Sequence, residues 1–140
     1  MEGITKKNYE KNGISIEKIY VVDAVTRYAK GSDPEPVNHC CFIDNPGNLT
    51  GIGIAVTESL KELEGKKTCL LFDSINSTLI YISSQKTTQF FHFVTNKLRL
   101  MKFSGIFLTV EKGLDPDILS QLTLFVDAVV DADLDPSVIS

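Results

Sequence analysis

The spacing of apolar residues changes repeatedly along this chain, and each change marks an element. Ile19-Tyr20-Val21-Val22-Asp23-Ala24-Val25 is rich in β-branched and aromatic residues and predicts a strand. The turn formers Lys30-Gly31-Ser32-Asp33-Pro34-Glu35-Pro36 then lead into a second short strand, His39 to Asp44, which Asn45-Pro46-Gly47 stops. From Asn48 the period lengthens. Leu49, Ile52, Val56, Leu60 and Leu63 recur every three or four residues and predict an amphipathic helix over 48–64, capped by Asn48 and ended by Gly65. Gly51 and Gly53, in its first turns, each disfavour a helix by up to ~1 kcal/mol relative to Ala.

Thr68 to Asp73 follows as a central strand, whose unbroken apolar run predicts cover on both faces. Ser83-Ser84 caps a helix over 85–102, where Phe90, Val94, Leu98 and Met101 line one side and Phe91 and Phe93 widen the stripe. Gly105 to Val110 reads as another strand. Asp115-Pro116-Asp117 is a strong helix start, with Ile118, Leu119, Leu122 and Phe125 turned inward, and Val126 to Ala132 reads as a closing strand. Strands and helices alternate, and the links after the second strand are too long for hairpins. The expected fold is therefore an α/β three-layer sandwich with a mostly parallel sheet, joined by right-handed crossovers.

A chain of 140 residues suits a single domain, 1–140, with a polar leader at 1–13 and a tail at 134–140. Hydrophobic residues at 43% and charged residues at 23% argue for a folded core. The net charge is −4, and no basic run exceeds the pairs Lys6-Lys7 and Lys66-Lys67, so the footprint for a nucleic-acid backbone is missing. No apolar run is long enough to cross a bilayer, and the first residues lack the apolar centre of a signal peptide, so a cytoplasmic protein is expected, with neither nucleic acid nor membrane as partner. Three cysteines are not a disulfide framework. Cys40 and Cys41 point to opposite faces of a strand, His39-Cys40-Cys41 lacks the ligand spacing of a zinc motif, and all three thiols are expected to be buried.

Three predicted strands end alike, in Asp23, Asp44 and Asp73. At the carboxyl edge of an open parallel sheet such acids can surround a magnesium ion; equally, an Asp there accepts N–H groups from the turn that follows. Asp73, with Ser74 beside it after Leu70-Leu71-Phe72, reads as the magnesium-side strand of a nucleotide hydrolase. The matching phosphate loop, G-x-x-x-x-G-K-[ST], occurs nowhere. Gly47 to Gly53 opens a helix and offers N–H groups to an anion, but it contains no lysine, and its G-x-G pair lacks the third glycine of a dinucleotide fingerprint. Phe90-Phe91-His92-Phe93 has the spacing of core rather than of a base-stacking platform; His92 falls between buried rings or at the helix surface. Lys112 reads as a solvated loop lysine beside Glu111.

The runs YVVDAVTRY, NPGNLTGIGIAVTESLKEL, LLFDSINSTLIY, FHFVTNKLRL and GIFLTVEKG, and the ending DILSQLTLFVDAVVDAD, resemble the later part of the archaeal RecA-like, KaiC-like ATPase family, in the same order, from about Ile14 to Asp133. The resemblance implies a RecA-like fold, incomplete or degenerate, because the family's phosphate loop, with its strand and helix, has no counterpart here. It puts Asp73 and Ser74 where the magnesium-binding acid would be. Asp23 falls near the family's water-activating Glu, although it is an Asp with a shorter side chain. It implies no catalytic residue and no cofactor of the chain's own, with magnesium and ATP entering only if another chain completes the site. It also implies unpaired strand edges, hence a homo-oligomer or another protein chain as partner.

The expected function is association without chemistry, since phosphoryl transfer depends on positioning and neutralising phosphates. One alternative is a nucleotide-binding ATPase whose phosphate site is completed by a partner or by missing residues. Another is a receiver-like domain phosphorylated on Asp73. The expected last strand offers that reading no lysine, and no acidic pair follows the first strand.

Overall fold

A computed structural model of the chain describes residues 11–132, so residues 1–10 of the expected leader and the whole expected tail lie outside the described residues. The architecture is mixed α/β, built on short parallel strand pairs. A 3₁₀ turn at Ile16–Lys18 precedes β1 (Val21–Asp23), α1 (Thr26–Lys30) and β2 (Cys40–Phe42). β2 lies parallel to β1 with Val21 opposite Cys40 and Asp23 opposite Phe42. Then come α2 (Leu49–Glu62), β3 (Cys69–Phe72), α3 (Ile75–Tyr81), α4 (Ser84–Met101), β4 (Ser104–Phe107) and α5 (Pro116–Thr123). β4 returns parallel to β3, with Cys69 opposite Ser104 and Phe72 opposite Phe107. A parallel return needs a long crossover, and α3 with α4 supplies it.

Helix α4 organises the core. Its buried Phe90, Val94 and Leu98 meet Leu60 of α2, with Leu70, Phe72 and Phe107 of the strands packed against them. Its Phe91, 2% exposed, turns to the other side and joins Ile75 of α3 and Leu122 of α5. The Phe91 ring stands edge-on to Phe72 at 4.8 Å and to Phe107 at 5.3 Å, the arrangement aromatic quadrupoles favour. β4 approaches α4 so closely that a Cβ on Gly105 would lie 2.6 Å from Leu98 Cδ1.

The caps read from the sequence are in place. Asn48 Oδ1 accepts from Gly51 N at 2.9 Å, Ser83 Oγ from Lys86 N at 3.3 Å, and Asp115 Oδ1 from Asp117 N at 2.9 Å. The first of these accounts for a glycine in the opening turn of α2: a Cβ on residue 51 would sit 2.7 Å from Asn48 Nδ2 and push the cap away.

Several expectations are corrected. The strand expected over Ile19–Val25 is only Val21–Asp23, because Asp23 turns the chain directly into α1. Among the described residues the β3–β4 pair is covered on one face, not two. Leu70 and Phe72 pack into the α4 core, whereas Cys69 and Leu71 look outward, Leu71 being 55% exposed beside its ladder partner Ile106 at 52%. The two strand pairs do not join into one sheet among the described residues.

Val126 to Ala132 forms no strand. Arg99 Nη2 donates to Phe125 O and pairs with Asp127, and beyond that Val129 and Val130 stand exposed, with no neighbouring strand among the described residues. The strand expected to reach Val110 ends at Phe107, because Val110 N is taken by Asn76 Oδ1 at 2.6 Å. Helices α1 and α3 are both new relative to the sequence expectation, which has a loop after the first strand. The cysteines are not buried thiols: Cys41 and Cys69 are exposed and Cys40 is half-buried. Among the described residues no helix is long and apolar enough to cross a membrane.

Candidate functional site

The carboxyl ends of the strands carry the acids, and each does something different there. Asp23 is buried, at 3% exposure. Its Oδ1 accepts from Val25 N and Thr26 N, both at 2.9 Å, and its Oδ2 from Thr26 Oγ1 at 2.6 Å. This is an Asp holding the turn that leads into α1, with both oxygens engaged by Val25 and Thr26. Burial opposes its ionisation, but the Thr26 hydroxyl and the two backbone N–H groups outweigh burial and hold its carboxyl below the usual value.

Asp44, exposed, accepts from Asn48 Nδ2 at 2.7 Å and from Asn45 Nδ2 at 3.1 Å, thereby steadying the residue that caps α2. The Asn48 amide is the chief cause of its lowered pKa. Asp73 is exposed, and no hydrogen bond reaches its carboxylate among the described residues. The Asp73–Ser74 peptide bond is cis. Ser74 caps α3: its Oγ lies 2.9 Å from Ser77 Oγ and accepts from Ser77 N at 3.3 Å. The structure therefore brings Asp73 and Ser74 together at the end of β3. Asp23 ends a strand of the other pair, and its carboxylate bonds only within its own turn.

The glycine-bearing segment before α2 lines a cleft of about 930 Å³ that runs between the starts of α2 and α4 and the end of α3. The amides of Gly47, Asn48, Leu49, Gly51 and Ile52 are already engaged. Gly47 N donates to Asn45 Oδ1 at 2.8 Å, Gly51 N to Asn48 Oδ1, and Ile52 N to Asn48 O at 3.0 Å, so the segment serves its own cap and not an anion. Lys61, Lys86 and Glu58 stand around this cleft, with Tyr81 and Phe93 as its aromatic wall.

Among the described residues the strand-end acids offer one unengaged carboxylate, on Asp73, with no amide or lysine cradle shown beside it. By itself it does not fit a magnesium triphosphate. Among the described residues no group of three His, Cys, Asp or Glu side chains is placed to hold a metal, and His39 stacks its ring on Tyr20 at 4.1 Å.

Three polar residues stand out that the sequence reading passed over or left open. Asn76, on α3, acts as a substitute strand neighbour: its Oδ1 accepts from Val110 N and from Thr109 Oγ1 at 2.9 Å, and its Nδ2 donates to Val110 O at 3.1 Å. Arg99 ties α4 to the segment after α5. His92 is at the helix surface, stacked on Phe125 at 4.8 Å with 24° between the rings. Lys112 and Glu111 are exposed.

A family model described as a family of unknown function (DUF7504) matches residues 11–132. No curated protein and no solved structure is significantly similar to the chain.

Proposed function

The chain belongs to the DUF7504 family, and we propose that it is a non-catalytic module of RecA-like, KaiC-like build, an incomplete three-layer sandwich that works by associating with protein. The observation that carries this reading is the engagement of Asp23. An acid only 3% exposed that accepts three hydrogen bonds from its own turn keeps at most one lone-pair site, and that one faces away from solvent. It is therefore poorly placed to activate water or bind a metal, and changing that role would release the turn into α1. The bare face of β3–β4, where Leu71 and Ile106 meet solvent, supports the second half of the proposal, because contiguous exposed apolar residues mark interaction surfaces.

A second reading is favoured by one observation. The Asp73 carboxylate, exposed and unengaged, is free to take part in a magnesium site that another chain completes.

Thermal unfolding with and without magnesium and ATP separates the two. A ligand present at a hundred times its dissociation constant adds about 2.7 kcal/mol of stability, enough to raise the midpoint by several degrees. The association reading predicts an unchanged midpoint for ATP, ADP and GTP. A rise with any of them, abolished by Asp73→Ala, would replace it with the second reading.

A further inference from the structure

Among the described residues the β4 side of the β3–β4 pair is an edge with no strand beside it. Along a strand, successive residues direct their N–H and C=O groups to opposite neighbours. Ser104 N donates to Thr68 O at 3.2 Å and Leu108 N to Phe72 O at 3.0 Å, so Gly105 and Phe107 direct theirs to the other side. No described strand lies there. Natural edges are protected by charge, proline or a bulge. Ser104-Gly105-Ile106-Phe107-Leu108-Thr109-Val110 carries neither charge nor proline, and its register with β3 runs unbroken to Phe107. Its outward side chains are apolar, Ile106 at 52% and Leu108 at 43% exposure, next to Leu71.

The charges that flank this pair have a direction. In the four residues before each strand the charged ones are Lys66, Lys67 and Lys102, all basic and exposed; in the four after, they are Asp73 and Glu111, both acidic and exposed. If two copies met edge to edge with β4 strands parallel, Lys102 would stand beside Lys102. Meeting antiparallel, each copy brings its Lys102 toward the other's Glu111. Antiparallel pairing about a two-fold axis also closes on itself, using up the β4 edge of both copies.

We propose that the free edge of β4 is the interface between two copies of this chain, joined as antiparallel strands into one continuous sheet. This rests on the association reading above and names its partner. Gly105 and Phe107 supply the ladder hydrogen bonds, Ile106 and Leu108 the cross-strand apolar contacts, and Lys102 with Glu111 the orientation.

The test is molar mass by light scattering at micromolar protein, on the whole chain and three variants. The wild type is expected to be a dimer. Ile106→Lys, at an exposed position, is expected to keep the far-ultraviolet circular dichroism of the parent and to be a monomer, since it sets like charges on the shared sheet. Lys102→Glu and Glu111→Lys are each expected to weaken the dimer about tenfold, because each turns two attractions into two repulsions of modest size. Mixed together, those two variants are expected to pair with each other in preference to themselves.

A dimer that survives Ile106→Lys, or a mixture no more dimeric than either variant alone, overturns the proposed edge while leaving association through another surface. A monomeric wild type overturns the second copy as partner. Neither result touches the nucleotide titration that tests the association reading itself, so the two failures are distinguishable.

Discussion

Replacing Phe91 by alanine is expected to lower the unfolding free energy by about 3–5 kcal/mol, a large part of the 5–15 kcal/mol of an ordinary domain. The ring is 2% exposed and sits where α4, β3, β4 and α5 come together. It makes edge contacts with Phe72, Phe90 and Phe107. Removing it takes away the transfer free energy of the ring and leaves a cavity whose walls are held apart by both the strand pair and the helix, so they cannot close in cheaply. Phe93, two residues on and 47% exposed, is the internal control, with an expected loss of at most ~1 kcal/mol for Phe93→Ala. Urea unfolding followed by circular dichroism measures both. Equal losses for the two would mean that α4 does not present its Phe91 side to the strand pair.

The second large effect is expected at Asp23. Asp23→Ala leaves the N–H groups of Val25 and Thr26 and the Thr26 hydroxyl without their acceptor at a nearly buried site, and should cost about 2–3 kcal/mol. Asp23→Asn keeps one acceptor oxygen for the backbone and should cost less. The two variants also predict a pH signature. The folded-state pKa of Asp23 is depressed, so its contribution is complete above the unfolded-state value near ~3.9 and is lost as pH falls through the folded value. Stability of the parent should therefore fall more steeply than that of Asp23→Asn as pH drops below about 4. Parallel stability curves for parent and Asn variant would contradict the structural role assigned to this carboxylate. So would an Asp23→Ala variant as stable as the parent.

How far the sequence alone reaches can be seen element by element. Helices α2, α4 and α5 were legible because each combines a capping side chain with an apolar stripe of helical period, and Asn48, Ser83 and Asp115 do cap them. Helix α3 was not, because Ile75-Asn76-Ser77-Thr78-Leu79-Ile80-Tyr81 is short and holds β-branched residues that disfavour a helix; burial of Ile75 and Thr78 and the Ser74 cap decide the matter.

The unbroken apolar run of β3 shows only that both faces could be covered. Whether they are depends on what the rest of the chain supplies, and the described residues cover the side of Leu70 and Phe72 alone. Val126 to Ala132 has the composition of a strand but no described neighbour to bond, and composition cannot provide one. At the candidate site, the role of Asp23 was written locally, as an Asp accepting N–H groups from the turn that follows it, although the short helix that turn opens was not expected. Asn76 was invisible because the backbone it clamps lies 34 residues downstream.

The most direct test of the association reading is to record backbone amide shifts of the whole chain by nuclear magnetic resonance while adding magnesium and ATP. If the strand-end acids are structural and the chain cradles no triphosphate, the amides of Asp73, Ser74 and Ile75, and those of Val25 and Thr26, should stay where they are throughout the titration. Saturable movement of the Asp73–Ile75 amides would show a nucleotide held by this chain and would contradict the reading proposed for it.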